Sequence, residues 1–201
     1  VNQVFCLNYK EFFDLLEDDS VDLILTDPPY ARKYLPLYTG LAAQSARVLR
    51  VGGSLCSMVP TFMLPEVLAT MGMYLKWRWL ISQSYRGGSH ARLSMGIQVG
   101  YKPIAWYVKE KLSPRRCICD EIAGGKREKD LHPWQQSLDW AMYLIEHLTD
   151  EGDLVVDPFV GSGTVAEAAY RLKRQWIVND NDPKVVDTTL KRLGSLWSAT
   201  E

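Results

Sequence analysis

Residues 27–30 read Asp27-Pro28-Pro29-Tyr30, directly behind the apolar run Val21-Asp22-Leu23-Ile24-Leu25-Thr26. This places a carboxylate, two rigid prolines and an aromatic ring at the end of a buried strand, and open α/β sheets carry their chemistry at such carboxyl ends. Proline fixes φ and donates no backbone N–H, so carbonyl acceptors around Asp27 and Pro28 are left bare. An acceptor-rich site beside a flat ring suits a planar group bearing an exocyclic amine. The amine hydrogens would go to Asp27 and the Pro28 carbonyl, and the ring would stack on Tyr30.

A second constellation lies far downstream. Residues 153–157 read as a strand, Pro158-Phe159-Val160-Gly161-Ser162-Gly163-Thr164 as a tight glycine loop, and residues 165–173 as a helix. Strand, glycine loop and helix is a nucleotide-binding layout, and glycine lets backbone approach a ligand where a Cβ would clash. No Lys follows Gly163, which excludes a P-loop, and the full G-x-G-x-x-G spacing of a dinucleotide site is missing. The next strand, residues 176–178, runs into Asn179-Asp180-Asn181-Asp182. Asp180 is placed to take ribose hydroxyls, roughly 20 residues beyond the loop. Asp182 before Pro183 reads as an N-cap with proline at the first helical position.

Together these motifs resemble the beta-class, circularly permuted DNA amino-methyltransferases that act on adenine N6 or cytosine N4. Asp27-Pro28-Pro29-Tyr30 is similar to their catalytic motif, and Asp157-Pro158-Phe159-Val160-Gly161-Ser162-Gly163-Thr164 to their cofactor loop. Between them His132-Pro133-Trp134-Gln135-Gln136-Ser137 is similar to the family's His-Pro-Thr-Gln-Lys-Pro element. The resemblance covers nearly the whole chain, including residues 41–55 and 101–109. It departs at Gln136 and Ser137, where Lys and Pro are usual, at Asn8, where Asp is frequent, and at Asp180, where Glu is usual.

The resemblance implies S-adenosylmethionine as cofactor, with Asn8, His132, Gln135, Asp157, Pro158, Phe159, Gly161, Ser162, Gly163, Thr164 and Asp180 on the cofactor side. It implies Asp27, Pro28, Pro29 and Tyr30 on the amine. Asp rather than Ser at the first motif position favours adenine N6 over cytosine N4. A nucleic-acid-binding domain that has lost catalysis, and an oxidoreductase on a Rossmann sheet, are the readings of other classes.

The 201 residues suffice for one domain with a full core. Apolar content of 47% and charged content of 23% are those of an ordinary soluble globular chain. No apolar stretch approaches the roughly 20 residues that span a bilayer, and the amino end has no signal-like pattern. A cytoplasmic location is expected. Cys6, Cys56, Cys117 and Cys119 read as reduced thiols. With His90, His132 and His147 forming no ligand cluster beside them, no metal is expected.

Charge is unevenly distributed. Residues 1–75 carry net −3, residues 76–129 net +8 and residues 130–201 net −6. A basic segment between acidic flanks is the footprint of a polyanion contact. Irregular, glycine-containing loops at 84–102 and 109–131 hold Arg86, Arg92, Arg115, Arg116, Lys126 and Arg127, the candidate DNA contacts. The interval at 109–131 is short for a base-reading region. Sequence selectivity is therefore expected to be loose or to depend on a second subunit, as in a homodimer.

Strand-like runs occur at 4–6, 21–26, 54–59, 77–83, 104–108, 154–157 and 176–179, with helical patterns at 11–17, 37–49 and 137–148. Alternating strands and helices imply a mainly parallel sheet covered on both faces. The resemblance adds the seven-stranded, Rossmann-like methyltransferase sheet with one antiparallel strand, in circularly permuted motif order.

Overall fold

The computed structural model describes residues 2–84, 90–92, 96–111, 116–123 and 138–197. Strand β1 (Asn2–Cys6) and helix α1 (Tyr9–Asp14) lead into β2 (Val21–Thr26), α2 (Leu35–Val48), β3 (Leu49–Met58), α3 (Leu64–Met71) and β4 (Lys76–Ser84). Then come β5 (His90–Arg92), β6 (Ile97–Val99), β7 (Tyr101–Val108), β8 (Glu121–Ala123) and α4 (Asp139–Leu148). The chain continues as β9 (Leu154–Asp157), α5 (Thr164–Arg171), β10 (Gln175–Asp180) and α6 (Pro183–Trp197).

Eight strands form one sheet in the order β1-β10-β9-β2-β3-β7-β4-β8. β7 is antiparallel to both its neighbours, and the other pairings are parallel. All seven strand-like runs are strands of this sheet. The eighth strand, β8, was expected as irregular loop. It is three residues long and pairs with Ser82–Ser84 of β4, too short for period-2 alternation to show. The expected loop at 84–102 likewise contains an antiparallel pair, β5 with β6, each of three residues.

β2 is buried along its whole length, as a central strand covered on both faces must be. Its pleat sends Leu23 and Leu25 into a core with α4 and α5 residues, including Trp140, Leu144, Val165 and Ala169. Ile24 faces the opposite core, with Phe12, Leu41 and Val67 from α1, α2 and α3. From β9 the chain moves to β10 on one side, and from β2 to β3 on the other. The point where strand order reverses therefore lies between β9 and β2, and the crevice beyond their carboxyl ends is where such sheets bind ligands.

Candidate active site

Thr26 is the last residue of β2, and the sheet pairing stops at Asp27-Pro28-Pro29. The Asp27 carboxylate receives the Tyr30 hydroxyl on one oxygen and the Lys102 ammonium, at 3.0 Å, on the other. Lys102 comes from β7, opposite Gln83 of β4. Its nitrogen also lies 5.4 Å from the centre of the Tyr30 ring. The ring expected to stack on a base thus lies beneath an ammonium group here, with its hydroxyl on Asp27. Under the motif, the buried Tyr38 donates to the Pro29 carbonyl at 3.4 Å. Burial, reinforced by the negative charge of Asp27, pushes the Tyr38 phenol up from its ordinary pKa.

Across the strand-order reversal, β9 ends at Asp157. Its carboxylate is buried and accepts from the Thr26 hydroxyl at 2.7 Å and from the Phe159 N–H at 3.0 Å. One carboxylate oxygen thus ties the end of β2 to the start of the glycine loop. Burial pushes the Asp157 pKa up to about 7, with the charges of Asp180 and Asp27 adding to the effect. An acid whose folded pKa lies above its unfolded value holds more protons when folded. Its contribution to stability is complete below about pH 4 and is lost as pH rises through about 7. Asp157→Asn keeps an oxygen for both donors, so it should be stabilised relative to wild type at pH 8 compared with pH 4. Urea unfolding of both proteins across that range checks this; parallel profiles would refute it.

The loop is held from below. Gly161 and Gly163 have φ of +52° and +82°, where side chains are strained. A Cβ on Gly163 would also come within 3.1 Å of the Thr189 methyl. Thr189 of α6 donates to the Gly161 carbonyl at 2.9 Å. Arg192 of α6 donates to the Ser162 carbonyl at 2.9 Å and the Thr164 hydroxyl at 3.2 Å, and it forms a buried ion pair with Glu167 of α5. Asn179 at the end of β10 accepts from the Leu7 N–H at 2.9 Å and donates to the carbonyls of Leu7 and Pro158. Asp180 beside it accepts from the backbone N–H of Gly161 at 3.3 Å and of Asp182 at 3.1 Å. Asp182 caps α6, as expected, by accepting from the Lys184 N–H at 2.9 Å.

A cavity of about 210 Å³ opens between these parts, with Asp27, Asp157, Phe159, Gly161 and Trp140 in its lining. The indole N–H of Trp140 is buried with no hydrogen-bond partner among the described residues. A buried donor of this kind costs free energy until it meets an acceptor. The cavity offers a glycine-lined wall, the Trp140 and Phe159 rings and the carboxylates of Asp27 and Asp157, a lining that fits a ligand with a cationic centre.

Asp27, Asp157, Phe159, Gly161, Ser162 and Thr164 meet at this cavity. Asp180 joins them through the Gly161 N–H. Asn8 is the N-cap of α1, accepting from the Lys10 N–H at 3.0 Å in a capping box with Glu11. Its carboxamide oxygen is thus engaged locally. Arg116 is exposed, 3.5 Å from Glu146 of α4. It precedes β8, so it lies beside the amino-terminal half of β4, away from Asp27. Arg86, Arg115, Lys126, Arg127, His132 and Gln135 lie outside the described residues, and Arg92 is described only in its backbone. Lys102, Trp140, Asn179 and Arg192 escaped sequence reasoning because their tasks depend on long-range contacts. Among the described residues no group of His, Cys, Asp and Glu could hold a metal ion, and no helix is long and apolar enough to cross a membrane.

A family model described as DNA methylase matches residues 21–191. The chain is 25% identical to the type II methyltransferase M.BglII of Bacillus subtilis over 86% of its own length, and it spans 63% of that relative. The crystal structure of an M1.HpyAVI–SAM complex superposes with a TM-score of 0.79 at 23% identity, covering 96% of this chain and 99% of that one. PvuII DNA methyltransferase, cytosine-N4-specific, superposes with a TM-score of 0.83 at 17% identity, covering 95% and 86%.

Proposed function

Because the chain belongs to the DNA methylase family of N6 and N4 amino-methyltransferases, we propose that it methylates the exocyclic N6 amine of adenine in DNA from S-adenosylmethionine. The observation that carries this reading is the position of the Asp27 carboxylate. It closes one end of a cavity whose other wall is the glycine loop, across the reversal in strand order. When bound, the cofactor supplies a methyl group on a positively charged sulfur.

The residues on the cofactor side are Phe159, Gly161, Ser162 and Thr164 against the methionine part. Asp180 faces the ribose. Asp180→Ala should weaken S-adenosylmethionine binding by roughly 1.5–3 kcal/mol, the worth of a hydrogen bond to a charged group. Calorimetric titration checks it, and an unchanged dissociation constant would move the ribose contact elsewhere.

On the substrate side, Asp27 accepts a hydrogen from the target amine together with the Pro28 carbonyl, which turns the nitrogen lone pair towards the methyl group. Positive charge develops on that nitrogen as it is methylated, and fixed acceptors stabilise it. No covalent enzyme intermediate is required. A duplex base must leave the stack to reach the cavity, with Tyr30 as its stacking surface. Asp at position 27 supports adenine over cytosine.

Incubation with unmethylated genomic DNA and S-adenosylmethionine, followed by nucleoside mass spectrometry, tests the reading. N6-methyladenine is expected; N4-methylcytosine would transfer the assignment to cytosine, and cofactor binding with no product would leave a binding domain. Arg86, Arg92, Arg115, Arg116, Lys126 and Arg127 are proposed as phosphate contacts. Each one lost should reduce the slope of log affinity against log salt by about 0.9. Neutralising Arg115 and Arg116 together should weaken binding to all sequences alike, read by salt titrations on two unrelated duplexes. A changed methylation motif would make these residues base readers instead. A second copy of the chain is proposed to supply part of the DNA contact, which sedimentation with and without duplex would test.

A further inference from the structure

Lys102 has no part in the methyl transfer derived above, yet its ammonium lies 3.0 Å from one Asp27 carboxylate oxygen, the other receiving the Tyr30 hydroxyl. Its side chain is 22% exposed and that of Asp27 26%. Neither group is sealed in the core, and Asp27 lines the cavity. Lys102 is also positioned from several sides. It sits at the start of β7, opposite Gln83 of β4 and two residues before β7 also pairs with β3. Its nitrogen rests 3.8 Å from the Met58 sulfur and over the Tyr30 ring. The site therefore presents an acceptor and a donor side by side, the donor over the Tyr30 ring and the acceptor at its hydroxyl.

This is the complement of one particular edge. Adenine and cytosine each carry an exocyclic amine, a donor, on the same ring carbon as a ring nitrogen that accepts. A flipped base is commonly read on its Watson–Crick edge. We infer that Lys102 is a specificity-determining residue: with Asp27 on the amine, its ammonium donates to the adjoining ring nitrogen, so that the pair recognises the amine-bearing edge as a unit. The inference rests on the reading of the cavity as an amino-methyltransferase site.

Guanine and thymine present the opposite order, a carbonyl oxygen beside a ring N–H. On that edge they meet the pair only when turned over, which leaves a ring N–H on Asp27; the N2 amine of guanine adjoins an accepting ring nitrogen only on the sugar side. The pair thus selects amino bases over keto bases and does not separate adenine from cytosine. Donation to the ring nitrogen draws electron density away from the amine, so Lys102 cannot accelerate the transfer itself. Its contribution is to binding and orientation, and its loss falls on KM more than on kcat.

The test uses duplexes carrying the enzyme's mapped target site with adenine, or with 1-deazaadenine, which lacks the ring acceptor. For a cytosine target the analogue is 3-deazacytosine. Wild type should lose about ten- to a hundredfold in kcat/KM on the analogue, the worth of one hydrogen bond to a charged group. Lys102→Met should show a similar loss on the natural base, mainly in KM, and no further loss on the analogue. Any change in the intrinsic reactivity of the analogue is common to both proteins and cancels. Equal analogue penalties in the two proteins would overturn the inference, since a lysine that only neutralises Asp27 is blind to the ring atom. If Lys102→Met loses S-adenosylmethionine binding as well, Lys102→Gln, which keeps a donor, replaces it and should retain part of the penalty; a Gln variant with none overturns the inference. A wild-type protein that methylates no base removes the functional reading and this inference together. One that methylates but ignores the analogue removes this inference alone.

Discussion

Asp27→Ala should lower kcat by at least roughly 10²–10³-fold, the loss found when one preorganised polar group at a developing charge is removed. S-adenosylmethionine affinity should stay within a few fold. The division follows from the geometry. Asp27 touches Tyr30 and Lys102, whereas the glycine loop is held by Thr189, Arg192, Asn179 and Asp180. Alanine also leaves Lys102 beside an apolar methyl group, so base binding should weaken too. Single-turnover methylation measures the chemical step, and calorimetry measures the cofactor. Turnover within tenfold of wild type would remove Asp27 from the amine.

Arg192→Met should destabilise the fold by about 1.5–3 kcal/mol, the worth of hydrogen bonds to a charged group, because Glu167 keeps Arg171 as its second partner. The side chains of Arg192 and Glu167 are only 6% and 8% exposed, so solvent cannot take over from either. Replacing both by methionine should restore most of that stability, because no buried charge is then stranded. Arg171, the second partner of Glu167, is 49% exposed and remains hydrated. Cofactor affinity should not return in the double variant. The Ser162 carbonyl and the Thr164 hydroxyl would still lack the donor that shapes the loop. Urea unfolding and calorimetric titration of the two variants separate the effects. Recovery of both properties together would reduce Arg192 to a packing residue.

The parts of the site that were legible in the sequence are those whose signal is local. Val21–Thr26 reads as a buried strand because five of its six residues are apolar or β-branched, and the strand is covered on both faces. The glycine loop reads as a loop because positive φ selects glycine. At Asn8 the resemblance points to the cofactor, and the spacing of Asn8 and Glu11 is also that of the capping box the structure shows. Lys102 and Arg192 gave no signal. A lysine at the start of an edge-proximal strand and an arginine on a terminal helix have the composition of a solvated surface. Only the fold brings Lys102 to a residue 75 positions away, and Arg192 to one 30 positions away. β8 was missed because three residues carry too little periodicity to stand out from a turn.

The place of β1 at the sheet margin bears on how the molecule comes into being. β1 pairs with β10 and with no other strand of the sheet, Cys6 lying opposite Asp180. A ribosome adds about 5–20 residues per second, so β1 leaves it on the order of ten seconds or more before its partner exists. During that interval Val4 and Phe5 are a strand without a template, and the Leu7 amide waits for the Asn179 side chain that will receive it. The part of the sheet around β2 and β3 is synthesised before β9 and β10 exist. The cavity at Asp27 takes most of its wall from residues beyond 156, so a nascent chain stalled before β10 would carry residues 27–30 without the complete cavity.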